Sequence, residues 1–426
     1  MTIEQLYSIY LQHPSVQTDT RKLKKNDIFF SLKGGNFNGN EFATRALEMG
    51  AAFAVVDDAA YFTVPEKMML TDNALETLQQ LALWHRKQLS IPFIAITGTN
   101  GKTTTKELIN TALAAGFKTY ATQGNLNNHI GVPLTILSIT TDAEIAVIEM
   151  GANHQREIAG YCKIALPTHG IITNIGKAHL EGFGSEEGVK KAKGELYDFL
   201  RSNNGCVFVC NEYAYLKEMS KGIPQVITYG SKDADYTGDP VADDALLGVQ
   251  VTGNSRVGFI QTQLTGAYNF PNVMAAVAVA SHFKVPEEKI GPAIAAYRPS
   301  NNRSQVITQG SNTIIMDAYN ANPSSMRAAI ENFAGLKASK KILLLGAMME
   351  LGADSVKEHQ TLAGLLQRTH WDAVVLVGGD FKKISHPYIY LESAAEAAKW
   401  LQQQQFSDAH ILIKGSRSTG MEKVLE

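Results

Sequence analysis

A short run of small, polar and basic residues, Gly98-Thr-Asn-Gly-Lys-Thr103, has the composition of a loop that binds phosphate. Glycines let backbone N–H groups converge on an anion, Lys102 supplies positive charge for β- and γ-phosphates, and the Thr103 hydroxyl can bind Mg²⁺. The full eight-residue pattern is not met, because Ile96 occupies the position of its first glycine. A structural glycine turn beside a surface lysine is the alternative, but the segment as a whole favours nucleotide binding.

Two further side chains are candidates for a metal site beside the phosphates. Glu149 ends the strand-like run 144–150, and His179 lies in the glycine-rich loop 174–184. Mg²⁺ prefers oxygen ligands, so the carboxylate suits it better than the imidazole. An isolated histidine is more often a satisfied core or surface residue, and the glycine-rich loop after a strand strengthens the functional alternative for His179.

Lys193 has an unusual position on a predicted helix that begins near Ser185. One face of that helix carries the apolar residues Val189, Ala192, Leu196 and Leu200, and Lys193 lies about 40° round from Val189. A lysine drawn towards the interior costs free energy unless it is paired, neutral or modified. Extension of the side chain to water is the alternative. Lys191 falls on the opposite face, and Lys190 lies between the two.

Polar residues beyond position 260 offer further contacts. Asn269 and Asn272 precede a very apolar predicted helix, 273–280, and either contact a base or cap that helix. Asp317 follows a strand-like run, although an Asx-turn also explains much of its segment. The segment 414–417, Lys-Gly-Ser-Arg, follows another such run and offers donors to an anionic ligand.

The elements that must position these residues alternate between strands and helices. The apolar run 93–96 predicts a strand before the glycine loop, and the residues after Thr103 predict a helix. Such alternation indicates a doubly wound, mostly parallel sheet, whose ligands bind beyond the carboxyl ends of its strands. Gly98, Glu149 and Asn174 each fall at such an end, so we expect them to share one crevice.

The flanking segments predict two more α/β units. In the first, 27–32 and 52–56 read as strands and 41–49 as a helix. After a turn-rich linker at 297–302, strand-like runs at 313–316, 341–345, 373–377 and 410–413 predict a second open sheet. We therefore expect a three-domain α/β protein with domains at 1–90, 91–298 and 299–426.

Composition and charge exclude several classes of protein. With 426 residues, 19% charged, 45% hydrophobic and a net charge of −2, the chain is typical of globular proteins and unlike those that bind nucleic acid. No long apolar run or leader pattern is present, so we expect a cytoplasmic protein without membrane insertion. Cys206 and Cys210 point to one face of a predicted strand. The sequence shows no further soft ligands near them, so buried thiols are expected rather than zinc ligands.

Together these segments resemble the ATP-dependent Mur ligases over essentially the whole chain. The residues that carry the resemblance are the glycine loop, Glu149, His179, Lys193, Asn269, Asn272, Arg303 and Asp317. Longer motifs match the members of the family that add D-alanyl-D-alanine to UDP-MurNAc-tripeptide. These motifs are Asn125–Pro133, Glu149–Asn153, Ala178–Gly184, Asp317–Pro323, Gly346–Gly352 and Ile413–Arg417.

The resemblance implies a set of roles for residues of this chain. It implies catalytic roles for Lys102, His179 and Lys193, with Lys193 carbamylated, and two Mg²⁺ ions held by Thr103, Glu149, His179 and the modified Lys193. It implies ATP contacts from Gly98, Thr99, Asn100, Gly101, Lys102, Thr103, Thr104, Asn269, Arg303 and Asp317. Substrate contacts are expected from Thr20 and Arg21 in an N-terminal domain that holds the UDP group, and from Asn127, Asn128, Asn320 and Asn322. The C-terminal domain is expected to be Rossmann-like, and the protein monomeric.

Three alternatives stay open. A MurE-like ligase is disfavoured because its Asp-Asn-Pro-Arg motif is absent, and a folylpolyglutamate synthase-like enzyme would not need the first domain. A regulator that binds ATP through its phosphate loop without ligating anything is the third. The sequence contains no Asn-Lys-x-Asp motif, which disfavours a GTPase switch.

Overall fold

A computed structural model of the chain describes residues 1–243, 246–300 and 302–426, so Asn301 of the predicted linker lies outside the described residues. Its strands form sheets of four, nine and six strands in successive parts of the chain, with a small hairpin in the first part. The α/β class is confirmed. Among the described residues, no helix is long and apolar enough to cross a membrane.

The N-terminal part carries the four-stranded sheet. Its elements are α1 (Ile3–Gln12), β1 (Val16–Gln17), β2 (Ile28–Phe30), β3 (Lys33–Gly34), β4 (Phe37–Asn38), α2 (Ala43–Glu48), β5 (Phe53–Val56), β6 (Met68–Leu70) and α3 (Ala74–Gln88). Strands β1, β2, β5 and β6 pair in parallel in that order, and β3 and β4 form the hairpin. The predicted helix at 41–49 is shorter, because Asn38 caps a 3₁₀ turn at Gly39–Phe42 first.

The central part begins with the strand that precedes the glycine loop. Its first elements are β7 (Phe93–Thr97), α4 (Lys102–Ala114), β8 (Thr119–Ala121), α5 (Gly131–Leu137), β9 (Ile145–Glu149), α6 (Glu157–Ala165), β10 (His169–Ile172), α7 (Leu180–Phe183) and α8 (Glu186–Ser202). They are followed by β11 (Cys206–Cys210), α9 (Ala214–Met219), β12 (Gln225–Gly230), β13 (Tyr236–Asp243), β14 (Leu246–Gly253), β15 (Phe259–Thr265), α10 (Phe270–His282) and α11 (Glu287–Ala296).

The nine strands form one mostly parallel sheet, as predicted. Their order is β15-β14-β13-β12-β11-β10-β7-β9-β8, and β14 and β15 run antiparallel to their neighbours. Strands β7 and β9 are buried along their whole length, because helices cover both faces of the sheet. Helix α10 lies deepest: residues 273–280 have no exposed surface, and the helix packs against α4.

The C-terminal part is a second open sheet. Its elements are β16 (Gln305–Gln309), β17 (Asn312–Asp317), α12 (Pro323–Gly335), β18 (Lys340–Gly346), α13 (Ser355–Leu366), β19 (Ala373–Val377), β20 (Ile389–Leu391), α14 (Ala394–Gln404) and β21 (Ala409–Lys414). The order is β16-β17-β21-β18-β19-β20, with β16 antiparallel to β17. The four predicted strands are confirmed, and the two that the sequence did not reveal are the edge strands, which carry few buried apolar residues.

Candidate active site

The glycine loop connects β7 to α4 in the predicted strand–loop–helix arrangement. Gly98 and Gly101 have φ angles of 138° and 79°, which favour glycine. A Cβ atom on Gly98 would lie 2.1 Å from Thr173 Oγ1, and one on Gly101 would lie 2.8 Å from Asn272 Oδ1. No side chain caps the start of α4, so the N–H groups of its first turn are available to an anion.

Lys102 lies against the loop that precedes it. Its Nζ donates hydrogen bonds to the carbonyl oxygens of Gly98, at 2.8 Å, and Thr99, at 3.0 Å. Burial lowers the pKa of Lys102, and the nearby Arg303 lowers it further, while Glu149 acts in the opposite direction. An ammonium group has three donors. Two are used by the loop, so one is left for an oxygen atom of a bound ligand.

The ends of three neighbouring strands meet at this loop, as the sequence predicted. Asn174, after β10, accepts a hydrogen bond from the backbone N–H of Asn100 at 3.0 Å. Glu149, at the end of β9, accepts from Thr103 Oγ1 at 3.1 Å and from Asn127 Nδ2 at 2.7 Å. All of these bonds lie beyond the carboxyl ends of parallel strands, where ligands bind in this architecture.

Glu149 also presents a free oxygen atom. Both contacts above involve Oε1, whereas Oε2 is buried without a hydrogen-bond partner in the described part of the chain. Glu149 is 1% exposed, so bulk water does not supply the hydrogen bond that Oε2 lacks. A buried carboxylate oxygen beside the Thr103 hydroxyl is a donor set that fits Mg²⁺.

Lys193 is buried, which excludes extension of its side chain to water. It is 2% exposed on α8, whereas Lys191 is exposed and Lys190 intermediate. Its Nζ donates to the carbonyl oxygen of Ala152 at 3.2 Å and lies 5.3 Å from the centre of the Phe183 ring. Burial, followed by the charge of Lys102, holds the pKa of Lys193 well below its usual range.

His179 faces the C-terminal part of the chain. Its backbone has a φ of 50°, and its Nδ1 lies 2.6 Å from Glu350 Oε2, although not with hydrogen-bond angles. The contact with His179 lowers the pKa of Glu350. The sequence analysis did not single out Glu350, but its position in the loop after β18 follows the same strand-end rule that identified Glu149.

A salt bridge joins the ends of two C-terminal strands. Asp317, at the end of β17, pairs in register with Lys414, at the end of β21, and its Oδ2 accepts from Lys414 Nζ at 2.5 Å. Arg303 stacks 3.5 Å above the ring of Tyr319, a residue that the sequence analysis did not select. Both Arg303 and Tyr319 border the space in front of the glycine loop.

Helix α12 brings the C-terminal part to the glycine loop. Asn322 Nδ2 donates to Asn100 Oδ1 at 2.8 Å, and Asn322 Oδ1 caps the helix by accepting from the N–H of Ser325 at 2.9 Å. The sequence analysis also offered an Asx-turn for the segment that follows Asp317. Asn320 agrees with this in part, because its Oδ1 accepts a hydrogen bond from the N–H of Ala321 at 2.9 Å.

Of the two alternatives for Asn269 and Asn272, capping of α10 by their side chains is wrong. Asn269 Nδ2 donates to the Thr265 carbonyl at 2.8 Å, and its Oδ1 accepts from Asn272 Nδ2 at 2.8 Å. Asn272 Oδ1 in turn accepts from Thr105 Oγ1, in α4, at 3.0 Å. The two buried amides therefore link α10 to the helix that follows the glycine loop instead of closing the end of their own helix.

One cavity of about 620 Å³ collects most of the predicted site residues. They are Thr99, Asn100, Gly101, Lys102, Thr103, Thr104, Asn127, Asn128, Glu149, His179, Asn269, Arg303, Asp317, Asn320 and Asn322. Of these, Asn128 also accepts hydrogen bonds from the N–H groups of Ile130 and Gly131 at the start of α5. Gly98 and Lys193 are not among the residues that line the cavity.

Thr20 and Arg21 are not brought to this cavity. They begin a 3₁₀ turn in the N-terminal part, and Arg21 is exposed. Its guanidinium donates to both oxygen atoms of Asp19, at 2.9 and 2.8 Å. The structure therefore places these two residues in the N-terminal part, apart from the cavity.

Three family models match the chain in succession. They are described as the Mur ligase family, catalytic domain (residues 14–86), the Mur ligase middle domain (96–280) and the Mur ligase, glutamate ligase domain (302–417). Curated relatives match over nearly the full length. The UDP-N-acetylmuramoyl-tripeptide–D-alanyl-D-alanine ligases of Bacillus subtilis and Escherichia coli are 34% and 33% identical, over 96% of this chain and 92% of each relative.

Solved structures give the same result. A crystal structure of MurF from Acinetobacter baumannii aligns with a TM-score of 0.86 at 31% identity, over 96% of this chain and 92% of the other. MurF from Thermotoga maritima in complex with ADP aligns with a TM-score of 0.86 at 26% identity, over 97% of both chains.

Proposed function

Because this chain belongs to the Mur ligase family, we propose that it joins D-alanyl-D-alanine to UDP-N-acetylmuramoyl-tripeptide at the expense of ATP, in the synthesis of peptidoglycan precursors. The observation that carries the proposal is the single cavity in which the glycine loop, Glu149 and residues after β17 meet. Such a cavity can hold a nucleoside triphosphate and the carboxylate of a second substrate together. The D-alanyl-D-alanine specificity is supported by the relatives of the same name.

The chemistry begins with activation of a carboxylate, because a free carboxylate does not acylate an amine at neutral pH. In the proposed reaction a carboxylate oxygen of the tripeptide attacks the γ-phosphorus of ATP, ADP departs, and an acyl phosphate forms. The amino group of D-alanyl-D-alanine then attacks the acyl carbon. The tetrahedral intermediate loses inorganic phosphate, the nitrogen loses a proton, and an amide remains.

Residues of the chain act by positioning charge. The free donor of Lys102 and the N–H groups at the start of α4 would bind the phosphate oxygens that carry negative charge as the phosphoryl group moves. No protein nucleophile is needed. Arg303, Asp317 and Asn320, which line the same cavity from the C-terminal side, would contact the nucleotide and the incoming amine.

Mg²⁺ would neutralise phosphate oxygens and polarise the reacting groups. The free Oε2 of Glu149 and the hydroxyl of Thr103 would hold one ion. A second ion would be held by His179 and by Lys193 in its carbamylated form. Support for this assignment comes from His179 at the rim of the cavity and from the Lys193 amine, which is hydrogen-bonded to Ala152, itself a lining residue.

Carbamylation is consistent with the surroundings of Lys193. The reaction joins a neutral amine to CO₂ and releases a proton, so it requires the deprotonated lysine. Burial lowers the pKa of Lys193 and increases the neutral fraction. The carbamate of Lys193 is negatively charged and would attract Mg²⁺. The ammonium form of the same side chain would repel it.

The remaining assignments follow from the proposed reaction. We assign the UDP group to the domain at 1–90, with Thr20 and Arg21 as contacts, ATP to the domain at 91–298, and the dipeptide to the interface with the domain at 299–426. Asn127 and Asn128 would face the tripeptide, and Asn322 would hold the domains together. Asn269 would act through Asn272 on α4. We also propose that the protein is a cytoplasmic monomer, and the consumption of ATP supports the cytoplasmic location.

A product assay tests the proposal against its alternatives. Purified protein is incubated with ATP, UDP-MurNAc-tripeptide and one amine at a time, and products are identified by mass spectrometry. We expect ADP, phosphate and the pentapeptide product only with D-alanyl-D-alanine. Ligation of glutamate or diaminopimelate would identify a different ligase, and ATP hydrolysis that does not depend on any amine would identify a regulator.

A further inference from the structure

A second group of residues with ligand chemistry lies at the opposite end of the central sheet. His169, Cys206 and His282 each offer one ligand atom, and these atoms lie within 4.8 Å of one another. We refer to them as the His-Cys-His cluster. His169 and Cys206 begin strands β10 and β11, whereas the phosphate site lies beyond the other ends of these strands. The cluster is therefore separate from the proposed active site.

The fold explains why three residues so distant in sequence meet. His169 and Cys206 are direct partners in the parallel pairing of β10 with β11, so their side chains leave adjacent strands side by side. His282 is the last residue of α10, which packs against β11. Cys206 and Cys210 are both buried free thiols, as expected. The two histidines near Cys206 were not evident from the sequence, because they come from other elements and not from nearby positions.

Thr168 contacts the imidazole of His169 at its Nδ1 atom. Thr168 Oγ1 lies 2.8 Å from His169 Nδ1, accepts from the N–H of Phe93 at 3.0 Å and lies 3.2 Å from the Phe93 carbonyl oxygen. When the hydroxyl proton is directed to that carbonyl, Nδ1 donates to the hydroxyl and Nε2 carries the lone pair. A metal-binding histidine is commonly oriented by such a hydrogen bond at its other ring nitrogen.

Aromatic rings pack around the cluster. The imidazoles of His169 and His282 contact the rings of Phe208 and Phe283, with ring centres 5.0–6.2 Å apart. Cys206 is buried, while both histidines are partly exposed, so the cluster lies between the core and the surface.

We propose that the His-Cys-His cluster binds one zinc ion through the Cys206 sulfur and one nitrogen of each imidazole, with a water molecule as fourth ligand. Two imidazoles and a thiolate suit zinc, and an open fourth position is common where three protein ligands are present. A tetrahedral zinc site holds its ligand atoms roughly 3.3–3.7 Å apart, so binding requires the side chains to move inward by about 1 Å. The thiol proton is released to solvent when the sulfur binds.

The chain offers a matched control for this proposal. Cys210 lies on the same strand and the same face as Cys206, about 13 Å further along β11, and it is equally buried. It is not part of the cluster. Cys206→Ser and Cys210→Ser therefore remove the same chemical group from similar surroundings, and only the first should affect metal binding.

Cobalt(II) is a suitable probe, because a cobalt–thiolate bond gives a charge-transfer absorption band in the near ultraviolet. We titrate the full chain with Co²⁺ and then with Zn²⁺ in the presence of excess Mg²⁺, which occupies hard-oxygen sites. We expect one equivalent of Co²⁺ with the thiolate band, displacement of the band by Zn²⁺, and a higher melting temperature with Zn²⁺. Cys210→Ser should retain the band, and Cys206→Ser should lose it and bind at least about tenfold more weakly.

Two outcomes would overturn the proposal. One is native protein that shows no thiolate band with stoichiometric Co²⁺, a result that does not depend on any variant folding correctly. The other is a band of equal strength in Cys206→Ser, which would place the thiolate elsewhere. His282→Gln changes a partly exposed side chain, so it provides a second variant that should fold and should also lose the band.

Discussion

Asn322 donates its side-chain amide to Asn100 Oδ1 at 2.8 Å, and this bond connects the start of α12 directly to the glycine loop. The same side chain caps α12 through its oxygen atom. One side chain therefore caps a C-terminal helix and fixes it to the glycine loop. The two roles use different atoms, so substitution can separate them.

We predict that Asn322→Ser retains the cap and loses the contact with Asn100, since a serine oxygen can also accept from the N–H of Ser325. Its free energy of unfolding should stay within a few tenths of a kcal/mol of the wild type, whereas Asn322→Ala should lose about 1 kcal/mol. Both should raise the KM for ATP several-fold. A double-mutant cycle with Asn100→Ala measures the coupling, and strict additivity would contradict a direct contribution of this bond.

Lys102→Ala should abolish most ATP turnover and leave the fold intact. The variant removes the one cation whose ammonium lies in the glycine loop, and loss of such a charge contact reduces kcat by about 10²–10³. Turnover is followed by phosphate release and folding by circular dichroism. Lys191→Ala, an exposed lysine, is the control. A rate above about a tenth of the wild type would show that Lys102 does not contact the transferred phosphate.

Lys193→Ala should lose most of its activity, and acetate should restore part of it. Acetate can supply the carboxylate oxygens that the carbamate provides, whereas bicarbonate has no amine to modify in this variant. Lys190→Ala and Lys191→Ala should remain close to the wild type, since Lys191 is exposed and Lys190 is partly exposed. Full activity of Lys193→Ala, or an equal loss in Lys191→Ala, would exclude a role for the modified lysine. Melting temperatures separate loss of function from loss of packing.

The pair of His179 and Glu350 should make stability depend on pH. The contact lowers the pKa of Glu350, so folding favours the ionised carboxylate. This contribution is present above the pKa of glutamate in the unfolded chain and is lost as the pH falls through the lower pKa of the folded state. The side chain is half exposed, and solvent screening keeps the effect small.

We therefore expect Glu350→Gln to have a lower urea midpoint than the wild type at neutral pH, with a difference that shrinks below about pH 4. Glu66→Gln, which changes an exposed residue outside any helix or strand, should show no such change. A difference between wild type and Glu350→Gln that is constant with pH would mean that the carboxylate contributes nothing through its charge.

The phosphate loop and its neighbours could be predicted because each depends on local sequence. Gly98, Glu149 and Asn174 end apolar runs, and parallel strands bring their ends together by rule. The chain of hydrogen bonds from Asn269 through Asn272 to Thr105 could not be predicted, since it depends on how α10 packs against α4. Asparagine before a helix is usually a cap, and here tertiary packing provides other partners.

The edge strands of the C-terminal sheet and the His-Cys-His cluster could not be predicted either, because neither depends on a local sequence pattern. Strands β16 and β20 are short of buried apolar residues, so their sequences carry little periodic signal. The meeting of His169 with Cys206 depends on the register of two strands, and His282 depends on the length of a helix. No sequence motif encodes such a meeting, because the three residues belong to three separate elements.

Helix α10 connects the glycine-loop end of the central sheet to its opposite end. Its thirteen residues extend about 20 Å, with Asn272 near one end bonded to α4 and His282 at the other. Residues 273–280 are enclosed on every side, and a packed interior is nearly incompressible. The helix therefore acts as one packed rod that keeps a fixed spacing between His282, at the start of the strands, and Asn272, which is bonded to the helix after the glycine loop.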